Sequence, residues 1–320
     1  MLSRGTVRYI GSRTLLILFT AVAVSSIVFL AIHRLPGDAL LNEHHPEPAR
    51  EAALLHHYGL DLPLYQQYWV FVSNLVLHGD LGESLVNRGE KLTPVLLREA
   101  TVSAEIGAVA LLFTIGVGIL LGVVAAMRQN TWVDYALTTT SVIGYSLPNF
   151  VIATVLVLVF SLYLYNWTGG TFYVPEGWDG TYGQLIQIPV PAFALGFPYA
   201  SIVARLTRAS MLEVIRSDFV RTAHAKGLPD RVVIVRHALR NALIPVVTSL
   251  GPLTIGIITG GVVIENIFNI PGLGKEFVSS IIARDYNIVI GVFTVYAILI
   301  GAANLVVDLL YTVIDPRIRY

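Results

Sequence analysis

The charged side chains that could act on a partner are concentrated in one basic segment, residues 205–245. The segment carries eight Lys and Arg residues against three acidic ones. Such an excess of cations beside apolar spans is typical of the cytoplasmic side of a membrane protein. A turn at Gly227 and Pro229 divides the segment into two helical stretches. A simple connector would not need this shape, so the segment is predicted to be a docking surface through which a soluble cytoplasmic partner moves the membrane part.

The stretch before the turn has an apolar stripe at helical spacing. The stripe consists of Leu212, Ile215, Phe219 and Ala223. Gly227 suits the left-handed position that ends a helix, and Asp230 can begin the next helix at its positive end. The alternative interpretation is a positively charged inner loop that happens to be helical.

The composition is that of an integral membrane protein. Of 320 residues, 55% are hydrophobic and 13% charged, with a mean hydropathy of +0.69, whereas about a quarter of residues are charged in soluble domains. Cysteine is absent, which excludes disulfides and thiolate metal sites. No small-residue cleavage site follows the first apolar run, so this run is predicted to be a retained anchor.

Six segments are apolar enough to cross a bilayer. They are residues 14–32, 102–126, 134–166, 192–212, 242–264 and 287–310. The third is too long for one crossing, and a break is expected near Pro148, with 148–166 crossing and 134–146 lying shallow in the membrane or forming a separate short helix. The fourth is weak and is expected to sit among other helices. With the N-terminus inside, inner segments hold fourteen Lys and Arg and outer segments seven, so both termini are predicted to be cytoplasmic.

Small residues in two spans indicate close helix packing. They are Gly118 and Gly122 in the second span, and Gly256 and Gly260 in the fifth. The fifth span also carries Thr248, Thr254 and Thr259. Tight packing alone and the lining of a translocation path both remain open for this span. Glu105 and Asp308 are predicted to anchor span ends at the interface.

Three common catalytic motifs are incomplete or missing in the sequence. Gly274-Lys275 is followed by Glu276, so the phosphate-binding loop pattern is incomplete. No His-Glu-x-x-His motif occurs, and Gly144-x-Ser146 continues to Pro148 where a nucleophile elbow needs glycine. Histidines 44, 45, 56, 57 and 78 are interpreted as solvated residues of the loop between the first two spans, and no metal site is expected.

The chain resembles the permease subunits of ABC importers, in the dipeptide and oligopeptide subfamily, B-type. The resemblance rests on Arg221-Thr222-Ala223-His224-Ala225-Lys226-Gly227 and on Arg236–Pro245. The general importer motif reads Glu-Ala-Ala-x3-Gly; Ala223 and Gly227 keep it, and Arg221-Thr222 resembles the peptide subfamily's variant. Further matching stretches are Arg34–Asp38, Tyr58–Leu64, Gly79–Ser84, Ser146–Pro148, Pro271–Gly274 and Asp315–Arg319.

This resemblance implies an all-α, six-helix type I (MetI-like) permease fold. It divides the chain into an N-terminal transmembrane helix with its outer insert (1–91), a core permease domain (92–311) and a tail (312–320), and places the chain in a prokaryotic inner membrane. The implied partners are a second permease subunit, two ATPase subunits that bind ATP and Mg, and an extracytoplasmic solute-binding protein. No cofactor, enzyme activity or nucleic acid is expected for this chain. The implied ATPase-coupling residues are Phe219, Arg221, Ala223, His224, Lys226 and Gly227.

Alternatives from other classes make different predictions. The same machinery could import nickel chelates, glutathione or oligosaccharides. A secondary carrier would work without an ATPase, but it would be expected to hold charges near the membrane midplane. An intramembrane enzyme would need a nucleophile or metal constellation. A scaffold subunit would show no alternating accessibility of Thr248 or Thr259.

Overall fold

The computed structural model describes residues 4–34, 48–171, 174, 177–178 and 187–314. Throughout these ranges the chain forms helices joined by turns, bends and short irregular connections, with one isolated antiparallel bridge between Glu83 and Lys91. The α-helices are α1 (Arg4–Ile32), α2 (Pro48–His57), α3 (Leu64–His78), α4 (Leu92–Met127), α5 (Trp132–Ser146), α6 (Asn149–Leu156), α7 (Leu164–Thr168), α8 (Pro189–Ile215), α9 (Asp218–Ala225), α10 (Asp230–Val232), α11 (Leu239–Ile267), α12 (Leu273–Ala283) and α13 (Tyr286–Ile314). Two π-helical segments, Val157–Tyr163 and Val233–Ala238, join α6 to α7 and α10 to α11.

Six helical stretches are long and apolar enough to span a membrane, as the sequence predicts. They are Arg8–Ile32, Leu92–Met127, Asn149–Thr168, Pro189–Ile215, Asp230–Ile267 and Tyr286–Leu309. The protein is therefore a multi-pass membrane protein. The fourth stretch is the most enclosed, with 56% of its most apolar 18 residues buried, which confirms that this helix sits among others.

The break predicted at Pro148 is confirmed. Helix α5 ends at Ser146, Leu147 is extended (φ −84°, ψ 127°), and α6 begins at Asn149. Because the proline ring excludes a helical conformation at the preceding residue, the long apolar run is divided into a separate helix and a crossing one.

One compact unit consists of the described parts of Met1–Ser103 together with Pro271–Ala302. Its core includes the fully enclosed side chains of Leu92, Leu96 and Leu273. A buried carboxylate, Asp285, ties its loops together, since it accepts hydrogen bonds from Ser84 Oγ at 2.5 Å and from the amides of Val86 and Ile288 at 3.1 and 3.2 Å. This satisfied carboxylate holds the turn after α3 against the start of α13.

The second unit consists of Ala104–Ile270 and the described part of Ala303–Tyr320. Helix α8 is central to it and packs against α5, α6 and α11. The side chains of Val203 and Val246 are buried between α8 and α11. The basic segment, the Arg208–Asp134 ion pair and the packing glycines described below belong to this unit.

Two acidic residues missed by the sequence interpretation are buried in crossing helices. Glu99 of α4 is 6% exposed and Glu265 of α11 is 2% exposed. The predicted spans, 102–126 and 242–264, stop just short of both residues, because a charged side chain lowers the local hydropathy. The helices extend over Leu92–Met127 and Leu239–Ile267.

Candidate functional site

The basic segment folds into a short helical turn, here named the knuckle (residues 217–230). Helix α8 ends at Ile215, and Ser217 is extended (φ −73°, ψ 155°) before α9 begins at Asp218. The Ser217 hydroxyl donates to the carbonyl of Val214 at 2.6 Å rather than capping α9, and the Asp218 carboxylate lies in the first turn, where the helix dipole stabilises a negative charge. The apolar stripe from Leu212 to Ala223 is therefore divided between two helices, and the prediction of one continuous helix is wrong.

The end of α9 has the geometry that the sequence predicts. Gly227 has φ +73°, and its amide donates to the carbonyl of His224 at 2.9 Å. The amide of Leu228 donates to the carbonyl of Ala223 at 3.4 Å. This is the left-handed glycine cap, and Pro229 follows it because proline cannot continue the helix.

The inner side of α9 is anchored in a small apolar cluster. Val220 is 2% exposed and Ala223 is 7% exposed, and they pack with Met211 of α8 and with Val233 and Ala238. Ala223 was expected to supply docking area. Its methyl group lies in this cluster, so the accessible contacts of α9 are on the opposite side, and the coupling role of Ala223 stays a prediction.

The outer side of α9 carries the other residues predicted for coupling. Phe219 is 44% exposed, and Arg221, His224, Lys226 and Gly227 are exposed as well. The ion pairs here are long: Arg221 Nη1 lies 3.5 Å from Asp218 Oδ1, and His224 Nδ1 lies 3.5 Å from Asp230 Oδ1. Exposed pairs of this kind contribute little to stability, so these side chains are available to a partner.

Leu228 adds to this exposed surface and was not predicted. It is 36% exposed and directly follows the glycine cap. Its sequence signal is an apolar residue between a left-handed glycine and a proline. With Phe219 it gives the knuckle two accessible apolar side chains among cations.

A buried ion pair ties α5 to α8 near the knuckle. Arg208 donates from Nε to Asp134 Oδ1 at 2.6 Å and from Nη2 to Asp134 Oδ2 at 2.7 Å. The hydrogen bond from the Arg208 guanidinium lowers the pKa of Asp134 to about 2, although burial of the carboxylate acts to raise it. A second link lies on the same helices, since the Arg205 guanidinium is 4.7 Å from the centre of the Tyr145 ring.

The four predicted packing glycines lie where a side chain would collide with a neighbour. A Cβ on Gly118 would lie 2.7 Å from Val203, and one on Gly122 would lie 2.5 Å from the carbonyl oxygen of Ala204. On α11, a Cβ on Gly256 would lie 2.6 Å from the Tyr199 hydroxyl, and a Cβ on Gly260 would lie 3.0 Å from Leu195. These positions bring α4 and α11 close to α8.

The three predicted path threonines differ in exposure. Thr248 and Thr259 are exposed, whereas Thr254 is 5% exposed. Each hydroxyl donates to a carbonyl of its own helix; Thr254, for example, donates to Leu250 at 2.8 Å. In this conformation Thr254 is therefore enclosed, and Thr248 and Thr259 are the accessible hydroxyls of α11.

Among the described histidines, His56 and His57 each lie beside one carboxylate. His56 Nδ1 lies 2.9 Å from Asp61 Oδ2, and His57 Nε2 lies 3.5 Å from Glu83 Oε2. Over the described ranges, no group of three or more His, Cys, Asp or Glu side chains could hold a metal ion. His44 and His45 lie outside those ranges, as do the sequence motif that follows Arg34 and the one that begins at Asp315.

Comparison with known proteins identifies the family. Residues 118–320, which include the knuckle and the packing glycines, match the family described as binding-protein-dependent transport system inner membrane component. The chain belongs to this family. The resemblance stated from the sequence motifs is therefore confirmed, together with the all-α, six-helix fold class that it implies.

Curated members of this family are similar over nearly their whole length. The chain is 38% identical over 313 residues to the oligopeptide transport system permease protein OppB of Haemophilus influenzae. These aligned residues make up 98% of this chain and 99% of that protein. It is also 38% identical over 312 residues to the dipeptide transport system permease protein DppB of Bacillus subtilis, covering 98% of both chains. A solved amino acid ABC transporter with histidines is 14% identical, with a TM-score of 0.49 over 68% of this chain and 93% of that one.

Proposed function

We propose that the protein is the membrane-spanning permease subunit of an ATP-driven importer and forms half of a translocation path for peptides. Its family supports the importer, because members are inner membrane components of binding-protein-dependent transport systems. Its curated relatives support the peptide cargo, because they are permease proteins of oligopeptide and dipeptide transport systems.

The coupling mechanism rests on one observation: helix α9 has a buried side and an exposed side. Val220 and Ala223 are buried against α8 and the start of the fifth crossing stretch, while Phe219 on the other side is 44% exposed. An ATPase subunit that binds the exposed side would therefore pull on two crossing helices through one packed cluster. Arg221, His224 and Lys226 supply polar contacts, and Gly227 supplies the turn.

The remaining assignments follow from this role. A second permease subunit completes the path, two ATPase subunits bind ATP and Mg, and an extracytoplasmic solute-binding protein delivers the cargo. The chain itself catalyses no reaction. The distribution of Lys and Arg supports cytoplasmic termini, and Thr248 and Thr259 are the proposed contacts with passing solute. The division of the chain at residues 91 and 311 stays a prediction.

The mechanism is tested with the complete transporter in proteoliposomes, measuring ATP-dependent uptake of a labelled dipeptide. Phe219→Asp places a charge in the docking surface and is expected to reduce uptake about tenfold or more, as loss of an apolar anchor does in other interfaces. Phe219→Leu keeps an apolar side chain and is the matched control, with uptake near that of the wild type. Normal uptake by Phe219→Asp, at unchanged membrane content and thermal stability, would refute docking at this position.

Val220→Asp separates docking from folding. This residue is one position away but buried, so a charge there is expected to lower thermal stability as well as uptake. If Phe219→Asp lowered stability to the same extent, loss of uptake would reflect misfolding and the proposed division of α9 into an inner and an outer side would be wrong.

A further inference from the structure

A cavity of about 310 Å³ lies within the unit formed by the described parts of Met1–Ser103 and by Pro271–Ala302. Its volume is at the lower end of the range of small-molecule sites, about 300–1,000 Å³. The wall combines the aromatic rings of Phe29, Tyr58 and Phe71 with the carboxylates of Asp80 and Glu83. None of the residues that line it belongs to the knuckle, and the proposed transport mechanism assigns it no role.

Three polar side chains of the wall donate hydrogen bonds to the protein itself. Gln67 donates twice, at 3.2 and 2.8 Å, to backbone carbonyl oxygens. Tyr58 donates to a backbone carbonyl at 3.1 Å, and Asn287 donates to another at 2.9 Å. An amide nitrogen and a hydroxyl that donate to backbone leave mainly acceptor oxygens for a ligand. The cavity therefore favours a ligand rich in donors.

The charges of the wall also favour a ligand that donates hydrogen bonds. The residues that line the cavity include two carboxylates and neither Lys nor Arg. The nearest cationic candidate to Glu83 is His57, whose Nε2 lies 3.5 Å from Glu83 Oε2, a long contact for an ion pair. Burial is the main cause that raises the pKa of Tyr58; the nearby carboxylates of Glu83 and Asp285 add to it, and Arg88 partly offsets it.

We propose that this cavity binds a small organic cation, an alkylammonium compound with an apolar body. Aromatic faces attract an ammonium group through their quadrupoles, and a carboxylate accepts a charge-assisted hydrogen bond from it. Glu83 is the principal anion, and Phe29 and Phe71 form the apolar wall that receives the body of the ligand.

The purified full-length protein in detergent is titrated with benzylammonium and, as an uncharged analogue of the same shape, benzyl alcohol, by isothermal titration calorimetry. Benzylammonium is expected to bind saturably and at least about tenfold more tightly than benzyl alcohol, the range expected for a charge-assisted hydrogen bond. Glu83→Gln is expected to weaken benzylammonium binding about tenfold. Asp61→Asn removes an exposed carboxylate outside the lining and is expected to leave the affinity unchanged.

Absence of saturable benzylammonium binding, equal affinity for the two compounds, or an unchanged affinity in Glu83→Gln would each overturn the proposal. Phe71→Leu provides a variant that keeps an apolar wall and removes one ring; it is expected to weaken benzylammonium binding more than benzyl alcohol binding. The titration needs neither ATPase nor uptake, so its failure would leave the proposed transport function untouched.

Discussion

Arg208 and Asp134 form a bidentate ion pair between two helices, with nitrogen–oxygen distances of 2.6 and 2.7 Å. The carboxylate is 2% exposed and also accepts hydrogen bonds from the amide of Asn130 at 3.0 Å and from the Thr138 hydroxyl at 3.3 Å. All of its oxygen atoms are thus satisfied, and the arrangement fixes α5 against the end of α8 that leads into the knuckle. Removal of the guanidinium would leave a buried charge without its partner.

We expect Arg208→Gln to lower the free energy of unfolding by about 3 kcal/mol, the cost of breaking a buried pair from one side. Arg208→Lys keeps the charge but loses the planar guanidinium, and its free energy of unfolding is expected to lie between those of the wild type and Arg208→Gln. Denaturant unfolding in detergent measures both. Arg221→Gln is the matched control, because its pair with Asp218 is exposed, and the expected change is within about 0.5 kcal/mol. Equal losses in Arg208→Gln and Arg221→Gln would contradict the structural role of the buried pair.

The same pair predicts a loss of stability in acid. The hydrogen bond from Arg208 holds the pKa of Asp134 at about 2, below its ordinary value of 3.8, although burial acts in the opposite direction. Because the folded pKa is depressed, the stabilisation is present above about pH 4 and is lost as the pH falls towards 2. It amounts to about 2 kcal/mol in total, of which about 1 kcal/mol disappears between pH 6 and pH 3. Thermal unfolding of the wild type and of Asp134→Asn over this range is the measurement, and parallel pH profiles would count against the assignment.

The glycines of α4 provide a test of close helix packing. Gly122→Ala would place a methyl group 2.5 Å from the carbonyl oxygen of Ala204, and a backbone atom cannot move aside cheaply. A loss of about 1–3 kcal/mol is expected. Gly116→Ala, on the same helix, meets nothing within 4 Å, and it is expected to be neutral or to gain up to about 1 kcal/mol from helix propensity. Thermal stability in detergent compares the two, and equal behaviour would show that α4 is not held against α8 at Gly122.

The inward orientation of Ala223 can be measured by cysteine labelling, since the protein contains no cysteine. Ala225→Cys lies on the exposed side of α9, whereas Ala223 is 7% exposed. A membrane-impermeant maleimide applied to the detergent-solubilised protein is expected to label position 225 at least about tenfold faster than position 223, because labelling at 223 requires local opening. Equal rates would contradict the burial of Ala223 in the cluster with Met211 and Val233.

Features encoded by local pattern were predictable from the sequence. The six crossing stretches follow from apolar length, the division of the third run follows from Pro148, and the end of α9 follows from Gly227 and Pro229. Each depends on residues adjacent in the chain, where propensity and geometry act directly. The enclosed position of α8 was predictable too, because its apolar run is short and lipid would not hold it alone.

Features that depend on distant contacts were not predictable. Asp134 and Arg208 are 74 residues apart, and nothing in either neighbourhood identifies the other as its partner. The stripe through Phe219 and Ala223 fits a helix equally well with or without the break at Ser217, so periodicity could not show that Ala223 packs inward. Which apolar side chains of a helix are covered depends on where the neighbouring helices lie as well as on its own apolar stripe.

The enclosure of α8 bears on how the protein is made. Its most apolar 18 residues are the least hydrophobic of the six crossing stretches, and 56% of them are covered by protein rather than lipid. Nascent chains enter the bilayer segment by segment, and a marginally apolar segment is retained only when earlier ones shelter it. Helices α5 and α6 leave the ribosome before α8 and supply part of its cover, whereas α11 follows it and supplies the largest part. We therefore expect α8 to become fully enclosed only once α11 is in place, and variants that loosen these contacts to lower the yield of integrated protein.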